Sequence, residues 1–486
     1  MESVIRFNVS IMRIEDFYKI VVNGFPHHAT ESQMKAVWGI VRFLAEKKEN
    51  ALFILKGYAG TGKTTLVSTL INKLQIIGLK SVLLAPTGRA AKVLSQYSGK
   101  KAFTIHKKIY RVAMQSDGTM RMAKSQNLHT NTIFIVDEAS MIQDDTGSGD
   151  MSFFSTRSLL EDLISYVYEG ENCRLILIGD SAQLPPVGLE ISPALDIEHL
   201  KRAYSLKVFS SELKEVMRQS LESGILANAT RIRENITNNF NKPFISLAGF
   251  NDVVRISGVE LEDALNDAFS TGEIEDTVVI TRSNKRANIF NNEIRNRILY
   301  REDQIAAGDL MMVVKNNYFW LDDESKAGFI ANGDIIEILR IEKREELYGF
   351  RFADVTIRLT DYPEEKDLQV KLLIDTIDSL SPSLLREDSQ RLFHEVMADY
   401  EEIPSRRKRL EAVKKNPYFN ALQVKFSYAL TCHKTQGGQW PVVFIDQGYL
   451  NDEMINRGFY RWLYTAFTRA TKKLYLINFN EKFFMD

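Results

Sequence analysis

The segment Gly57-Tyr58-Ala59-Gly60-Thr61-Gly62-Lys63-Thr64 constrains this chain more than any other. It follows an apolar run, Ala51–Leu55, and precedes a helix-like stretch, Thr65–Leu74. A strand, a glycine-rich turn and a helix in that order form the phosphate loop of doubly wound α/β proteins. The glycines let backbone N–H groups approach phosphate oxygens, and the helix N-terminus adds partial positive charge. Gly57, Ala59, Gly60, Thr61, Gly62, Lys63, Thr64 and Thr65 are the expected contacts to ATP. Lys63 should reach the β- and γ-phosphates, and the Thr64 hydroxyl should ligate Mg²⁺.

Further apolar runs at Ser81–Ala85, Thr132–Val136 and Arg174–Ile178 each end in a polar or glycine-rich turn. Continuous apolar runs of strand length suit central parallel strands buried on both faces. A second set follows at Thr277–Thr281, Val442–Asp446 and Leu474–Asn478, so the chain reads as two doubly wound lobes. Between these later pieces, Leu310–Val314, Gly333–Ile341, Phe350–Leu359 and Leu368–Ile374 have strand character and short polar turns. They predict a small β-barrel, followed by a charge-rich helical stretch, Leu384–Lys415. The cluster Arg406, Arg407, Lys408 and Arg409 within it reads as a solvated helix face. Tyr110–Lys124 predicts a hairpin turning at Asp117-Gly118. The expected domains are a first lobe over 1–217 with the hairpin insert at 107–130, a second lobe over 218–307 and 420–486, and a barrel with helical extension over 308–419.

The apolar strand Ile133–Val136 delivers Asp137 and Glu138 to its C-terminal end. Asp137 is placed to hold Mg²⁺ through water, and Glu138 to orient or deprotonate an attacking water. The turn Gly179–Gly188 carries Gln183 before a rigid Pro185-Pro186 pair, a candidate sensor of the γ-phosphate. Thr30-Glu31-Ser32-Gln33 fits a capping box, and Gln33 also fits an adenine-reading glutamine ahead of the phosphate loop.

These segments, with Ala85–Ala91 and Thr104-Ile105-His106, resemble motifs I, Ia, Ib, II and III of superfamily 1 helicases. Glu215–Gln219, Leu430–Gly437 and Leu463–Ala470 resemble motifs IV, V and VI. The order and spacing are most similar to the RecD/Dda-like branch, superfamily 1B, and the barrel resembles that branch's Src-homology-3-type insert. The resemblance implies that Arg218 and Arg469 act as arginine fingers, that Gln183 senses the γ-phosphate and that Gly437 lies at the nucleotide. It also implies that Pro86, Thr87, Thr104, His106, Thr431, His433 and Lys434 line a path for single-stranded DNA. Hydroxyls, backbone N–H groups and a few cations suit phosphate contacts that ignore sequence. Gly438-Gln439-Trp440 departs from the acidic residue many relatives carry there. Phe103 and Tyr110 are candidate stacking platforms, whereas Tyr318-Phe319-Trp320 reads as barrel core.

A net charge of −1 and a pI near 6.7 do not by themselves select a nucleic-acid binder, although a groove needs only local positive charge. Two cysteines, Cys173 and Cys432, read as reduced thiols, too few for a disulfide framework or zinc cluster. No apolar run approaches a membrane span and Met1-Glu2-Ser3 opens no secretory signal, which predicts a cytoplasmic protein without a membrane partner. The sequence therefore predicts an ATP- and Mg²⁺-dependent monomeric motor acting on single-stranded DNA and its junctions with duplex, moving 5′-to-3′. An RNA-dependent superfamily 1 ATPase and a non-unwinding nucleic-acid clamp are the rival readings. The clamp predicts loss of Lys63, Glu138 or an arginine finger, and none is lost.

Overall fold

The computed structural model describes residues 4–6, 11–46, 50–114, 120–144, 158–216, 223–238, 244–321, 325, 327 and 329–485. The strand Ala51–Gly57, which feeds the phosphate loop, lies inside a six-stranded sheet. Across that sheet the order is Lys207–Leu213, Ala51–Gly57, Arg174–Gly179, Thr132–Val136, Lys80–Ala85 and Ala102–Thr104, all parallel. Side chains alternate between two cores, as a period of two requires. Phe53, Leu55, Ile133, Ile135, Ile176 and Ile178 join one cluster; Leu52, Ile54, Phe134, Val136, Leu175 and Leu177 join the other. Burial on both faces is why these segments read as unbroken apolar runs.

The second sheet is also parallel, in the order Val253–Ile256, Ala470–Ile477, Trp440–Asp446, Thr277–Thr281 and Ala429–Thr431. The barrel closes with five strands: Leu310–Val313, Ile335–Leu347, Phe350–Leu359, Leu368–Leu373 and Leu422–Phe426. The last of these corrects the boundary expected at 420. It pairs antiparallel with the first barrel strand (Met311↔Phe426) and parallel with the fourth (Leu372↔Leu422), and its five residues are all buried. The helical extension, Arg386–Ala398 and Arg406–Lys414, packs on the barrel through Leu392, Val396 and Val413. Arg406, Arg407 and Lys408 face solvent, as expected. Trp320 packs partly against the barrel core and donates its indole N–H to the Asn420 carbonyl at 2.8 Å.

The expected hairpin is present as Tyr110–Met114 and Met120–Lys124, paired from Tyr110↔Lys124 to Met114↔Met120. Its turn at Asp117-Gly118 and the side chains of 112–122 lie outside the described residues. Its root is tied to the helix Leu159–Glu169: Tyr110 Oη donates to Asp162 at 2.8 Å and Lys124 Nζ to Ser165 Oγ at 2.6 Å.

The barrel touches the first lobe at one crowded point. A Cβ on Gly88 would stand 2.2 Å from Asp334 Oδ1, so only glycine fits there. Asp334 is fully buried; its Oδ2 accepts the Ala331 N–H at 2.7 Å, and its Oδ1 has no hydrogen-bond partner among the described residues. Burial, reinforced by Asp361, pushes this carboxyl up to about 8, against the pull of the Ala331 N–H and Lys107. Lys92 pairs with Asp361 at 3.3 Å, and Tyr362 Oη completes the cluster. An unfolded aspartate titrates near 4, so the folded chain holds an extra proton between about pH 4 and about 8. Stability is then highest below that window and falls as pH rises through it. Asp334→Asn, which mimics the neutral acid, should flatten the slope. Urea midpoints of both proteins between pH 5 and 9 check this, and parallel profiles would show that Asp334 keeps its ordinary acidity.

Candidate nucleotide site and nucleic-acid track

The phosphate loop has the conformation its glycines allow. Gly60 and Gly62 sit at φ of 73° and 77°, a left-handed region costly for other residues. Gly62 caps the helix Lys63–Lys73, so the loop's amides converge at a helix N-terminus. Lys63 Nζ donates to the carbonyls of Gly57 (2.6 Å) and Tyr58 (3.0 Å), which holds the ammonium over the loop.

Gln33 is placed differently from the adenine-reading expectation. Its Oε1 accepts the Thr30 N–H at 2.9 Å, and the Thr30 hydroxyl accepts the Gln33 N–H, completing the capping box. Its Nε2 donates to the Thr61 carbonyl at 3.1 Å, and the side chain is 1% exposed. Both ends of the amide are engaged inside the protein, bracing the phosphate loop against the helix Glu31–Leu44.

Asp137 and Glu138 follow the strand Thr132–Val136 as expected. Asp137 Oδ1 accepts the Glu138 N–H at 2.9 Å, and Oδ2 accepts the Tyr97 hydroxyl, a partner that sequence motifs did not reveal. Glu138 holds φ at 51°, a left-handed conformation costing a non-glycine residue about 1–2 kcal/mol. Strain of this kind collects where function fixes a side chain's direction. Burial raises the Glu138 carboxyl above the ordinary range; Arg469 opposes the rise most strongly, Asp137 and Asp180 add to it, and Lys63 lowers it. The group is thus surrounded by the charges that motif reading placed around a γ-phosphate.

Arg469 acts on this carboxyl through its charge from the second lobe. It is 3% exposed, and its guanidinium donates to the carbonyls of Thr465 (3.0 Å) and Gly438 (3.1 Å) and to Thr468 Oγ1 (3.1 Å). Arg218 lies outside the described residues. A second arginine, overlooked in the sequence because no motif contains it, is Arg233, whose guanidinium lies 4.3 Å from the Tyr58 ring centre. Gln183 is buried, and its Oε1 has no hydrogen-bond partner among the described residues. Gly437 is not at the phosphate loop. A Cβ there would meet Ala90 and Thr87 of the first lobe at 2.8 and 3.2 Å, which makes Gly437 an inter-lobe contact. Next to it, the residues that depart from the family pattern receive Arg89, stacked 3.9 Å over the Trp440 ring.

The residues expected along the nucleic-acid path occupy C-terminal strand edges of both sheets. Pro86 and Thr87 follow Lys80–Ala85, Thr104 ends Ala102–Thr104, and Thr431 ends Ala429–Thr431, with His433 and Lys434 in the turn of helix after it. Thr87 Oγ1 and Thr104 Oγ1 each cap a helix, accepting the N–H groups of Ala90 and Lys107, and Thr104 is 5% exposed. Burial pushes His106 down to about 4 and also lowers His433, which favours the neutral form of both rings. Lys434 falls to about 8 through burial and, secondarily, Lys425. Around Phe103, Lys101 and Lys108 stand 5.5 and 5.7 Å from the ring, a basic-aromatic patch spread too thinly in sequence to form a motif.

A phosphate loop and acidic pair on one doubly wound lobe, faced by an arginine from a second, define a two-lobe P-loop ATPase. A model described as AAA domain matches residues 30–242, and one described as UvrD-like helicase C-terminal domain matches 426–477. ATP-dependent DNA helicase dda of Enterobacteria phage T4 is 27% identical over 328 residues, 64% of this chain and 68% of that protein. ATP-dependent RecD2 DNA helicase of Deinococcus radiodurans is 32% identical over 137 residues, 28% of this chain and 16% of the relative. Among solved structures, Pif1 helicase from Bacteroides in complex with ADP-AlF3 and single-stranded DNA aligns over 94% of each chain, at 15% identity and a TM-score of 0.46. The chain is similar to superfamily 1B DNA helicases of the Dda/RecD-like branch, and its site is that of an ATP-hydrolysing enzyme of that class. No helix among the described residues is long and apolar enough to cross a membrane.

Proposed function

We propose that the protein is an ATP- and Mg²⁺-dependent motor that moves 5′-to-3′ along single-stranded DNA as a monomer and separates strands at the duplex junction. The observation that carries this reading is the division of the nucleotide site: the phosphate loop, Asp137 and Glu138 stand on one lobe, and the charge of Arg469 acts on Glu138 from the other. The candidate track residues occupy the same edges of both sheets, so a strand laid across them would favour closure and complete the site. The left-handed glycines and helix N-terminus suit a triphosphate, with Lys63 holding its outer phosphates. Thr64 and Asp137 offer the hard oxygen donors Mg²⁺ requires, and the metal would neutralise charge on the β- and γ-oxygens. Residues 1–216, 223–307 with 427–485, and 308–426 are the proposed first lobe, second lobe and barrel insert. The short hairpin and small barrel, in place of large helical insertions, favour 5′-to-3′ travel.

Strand displacement on duplexes with a 5′ or a 3′ single-stranded tail, in DNA and in RNA, tests the proposal. Activity confined to 5′-tailed DNA is expected; 3′-tailed or RNA-only activity would reject the stated direction or substrate. The hairpin is proposed as the element that divides the duplex, since it follows Thr104 and His106 in the chain and pairs apart from the six-stranded sheet. Replacing residues 112–123 with a short Gly/Ser linker should preserve ATP hydrolysis and translocation while strand separation collapses. Unwinding at the wild-type rate would remove the hairpin from the mechanism.

A further inference from the structure

The helix Arg457–Phe467 of the second lobe is buried from Phe459 to Phe467, and Tyr464 within it is 1% exposed. The Tyr464 hydroxyl makes two hydrogen bonds, both to the first lobe. It accepts the N–H of Ala59, a phosphate-loop amide, at 2.9 Å, and donates to Asp180 Oδ2 at 2.6 Å. Asp180 is itself 1% exposed, and its Oδ1 accepts the Ala182 N–H at 2.9 Å, fixing the turn that presents Gln183. Burial and the charge of Asp180 drive the phenol far above its ordinary range, so the hydroxyl keeps its proton and remains a donor. One residue further, Thr465 Oγ1 accepts the Leu184 N–H at 2.9 Å, another bond between the lobes but one that does not reach the phosphate loop. Arg469, one turn beyond Thr465, donates to the Thr465 carbonyl, so the helix end that carries the arginine also carries the phenol.

We propose that Tyr464 is a positioning residue that couples closure of the lobes to ATP turnover. Its hydroxyl orients the Ala59 peptide of the phosphate loop and, through Asp180, the Gln183 turn, and it can do so only while the lobes are together. Separating the lobes leaves a buried amide and a buried carboxylate without their shared partner, so the phosphate loop and the Gln183 turn are released in the same movement. The inference deepens the proposed DNA-driven closure and rests on it.

The test compares Tyr464→Phe, which deletes the hydroxyl and keeps the ring, with Thr465→Ala, which deletes a neighbouring inter-lobe bond. Steady-state ATP hydrolysis is followed against oligo(dT) concentration. Tyr464→Phe should lower the maximal DNA-stimulated rate roughly tenfold, the scale of one lost buried hydrogen-bond pair, with little change in the oligo(dT) concentration at half-maximum. Thr465→Ala should raise that half-maximal concentration and keep the maximal rate. If the two variants behave alike, Tyr464 merely holds the lobes together and the proposal is overturned. If the wild type is not stimulated by oligo(dT) at all, the underlying reading of function fails instead. Amide hydrogen exchange of the wild-type phosphate-loop peptide gives a readout independent of whether Tyr464→Phe folds. Protection at Ala59 should rise with oligo(dT), and unchanged exchange in a DNA-stimulated enzyme would overturn the coupling.

Discussion

Glu138→Gln is expected to bind nucleotide as the wild type does and to turn it over roughly 10²–10⁴-fold more slowly, the usual range for removing a positioned general base. The amide is nearly the same size as the carboxylate, and the backbone N–H of residue 138 can still donate to Asp137 Oδ1. The substitution therefore leaves the oxygen donor of Asp137 and the ammonium of Lys63 in place and removes only the acceptor that would take a proton from water. Because burial raises this carboxyl and Arg469 is the main force holding it down, the Glu138 carboxylate is a stronger proton acceptor than an ordinary exposed glutamate. Single-turnover hydrolysis together with equilibrium binding of a fluorescent ATP analogue separates the two effects. Hydrolysis near the wild-type rate would show that another group activates the water.

Arg469→Ala should be comparably severe, with a loss of roughly 10³–10⁵ in the DNA-stimulated rate, as for arginine fingers supplied across an interface. A guanidinium has five N–H donors. Three atoms of Arg469 each make one bond to Thr465, Gly438 and Thr468, leaving two N–H groups and the whole charge for a phosphate. The same three bonds mean that alanine also strips partners from a buried turn. Arg469→Lys is the informative companion, since it keeps a charge but cannot hold all three acceptors in one plane. Both variants should remain deficient in turnover, while nucleotide affinity changes far less because the phosphate loop is on the other lobe. Full DNA-stimulated activity in Arg469→Lys would assign the arginine to structure alone.

How much of this was legible in the sequence depended on where each element sits. The strands foreseen in both lobes are mostly central, buried on both faces and hence continuously apolar, such as Thr132–Val136 and Thr277–Thr281. Four strands of the two large parallel sheets were passed over: Lys207–Leu213, Ala102–Thr104, Val253–Ile256 and Ala429–Thr431. Every one lies at a sheet edge, where short length or one open face erases the pattern. The barrel's closing strand was missed for another reason. Leu422–Phe426 carries Gln423 and Lys425 buried on the face opposite Leu422, Val424 and Phe426, and both are satisfied by main-chain groups that only the fold brings near: Gln423 Oε1 accepts the Leu384 N–H, and Lys425 Nζ donates to the Thr376 carbonyl.

The nucleotide site was legible wherever chemistry demands contiguous residues, as in the phosphate loop and the Asp137-Glu138 pair. It was not legible where partners are assembled from distant segments. Tyr97 on Asp137, Arg233 over Tyr58 and Tyr464 on Ala59 each link positions far apart in the chain. Gln33 shows the limit of a motif that fits two purposes, since the capping box and the phosphate-loop carbonyl together engage both ends of its amide.

The barrel's closing strand ends at Phe426, and the strand that leads to Thr431, His433 and Lys434 begins at Ala429. The two intervening residues allow little slack. Tyr428 is 1% exposed, and its hydroxyl donates to Asp309, which is itself gripped by Arg295 and Arg301. Chain therefore cannot be paid out at this crossing when the barrel turns. A rotation of the barrel about the second lobe would pull directly on the segment proposed to hold the nucleic-acid backbone, as a crank turns a shaft to which it is keyed. The other crossing, the longer run 299–309 that leads into the barrel's first strand, ends on the same Asp309 and is tied back by Arg295 to the Asp303 carbonyl, so both crossings are keyed to one buried cluster.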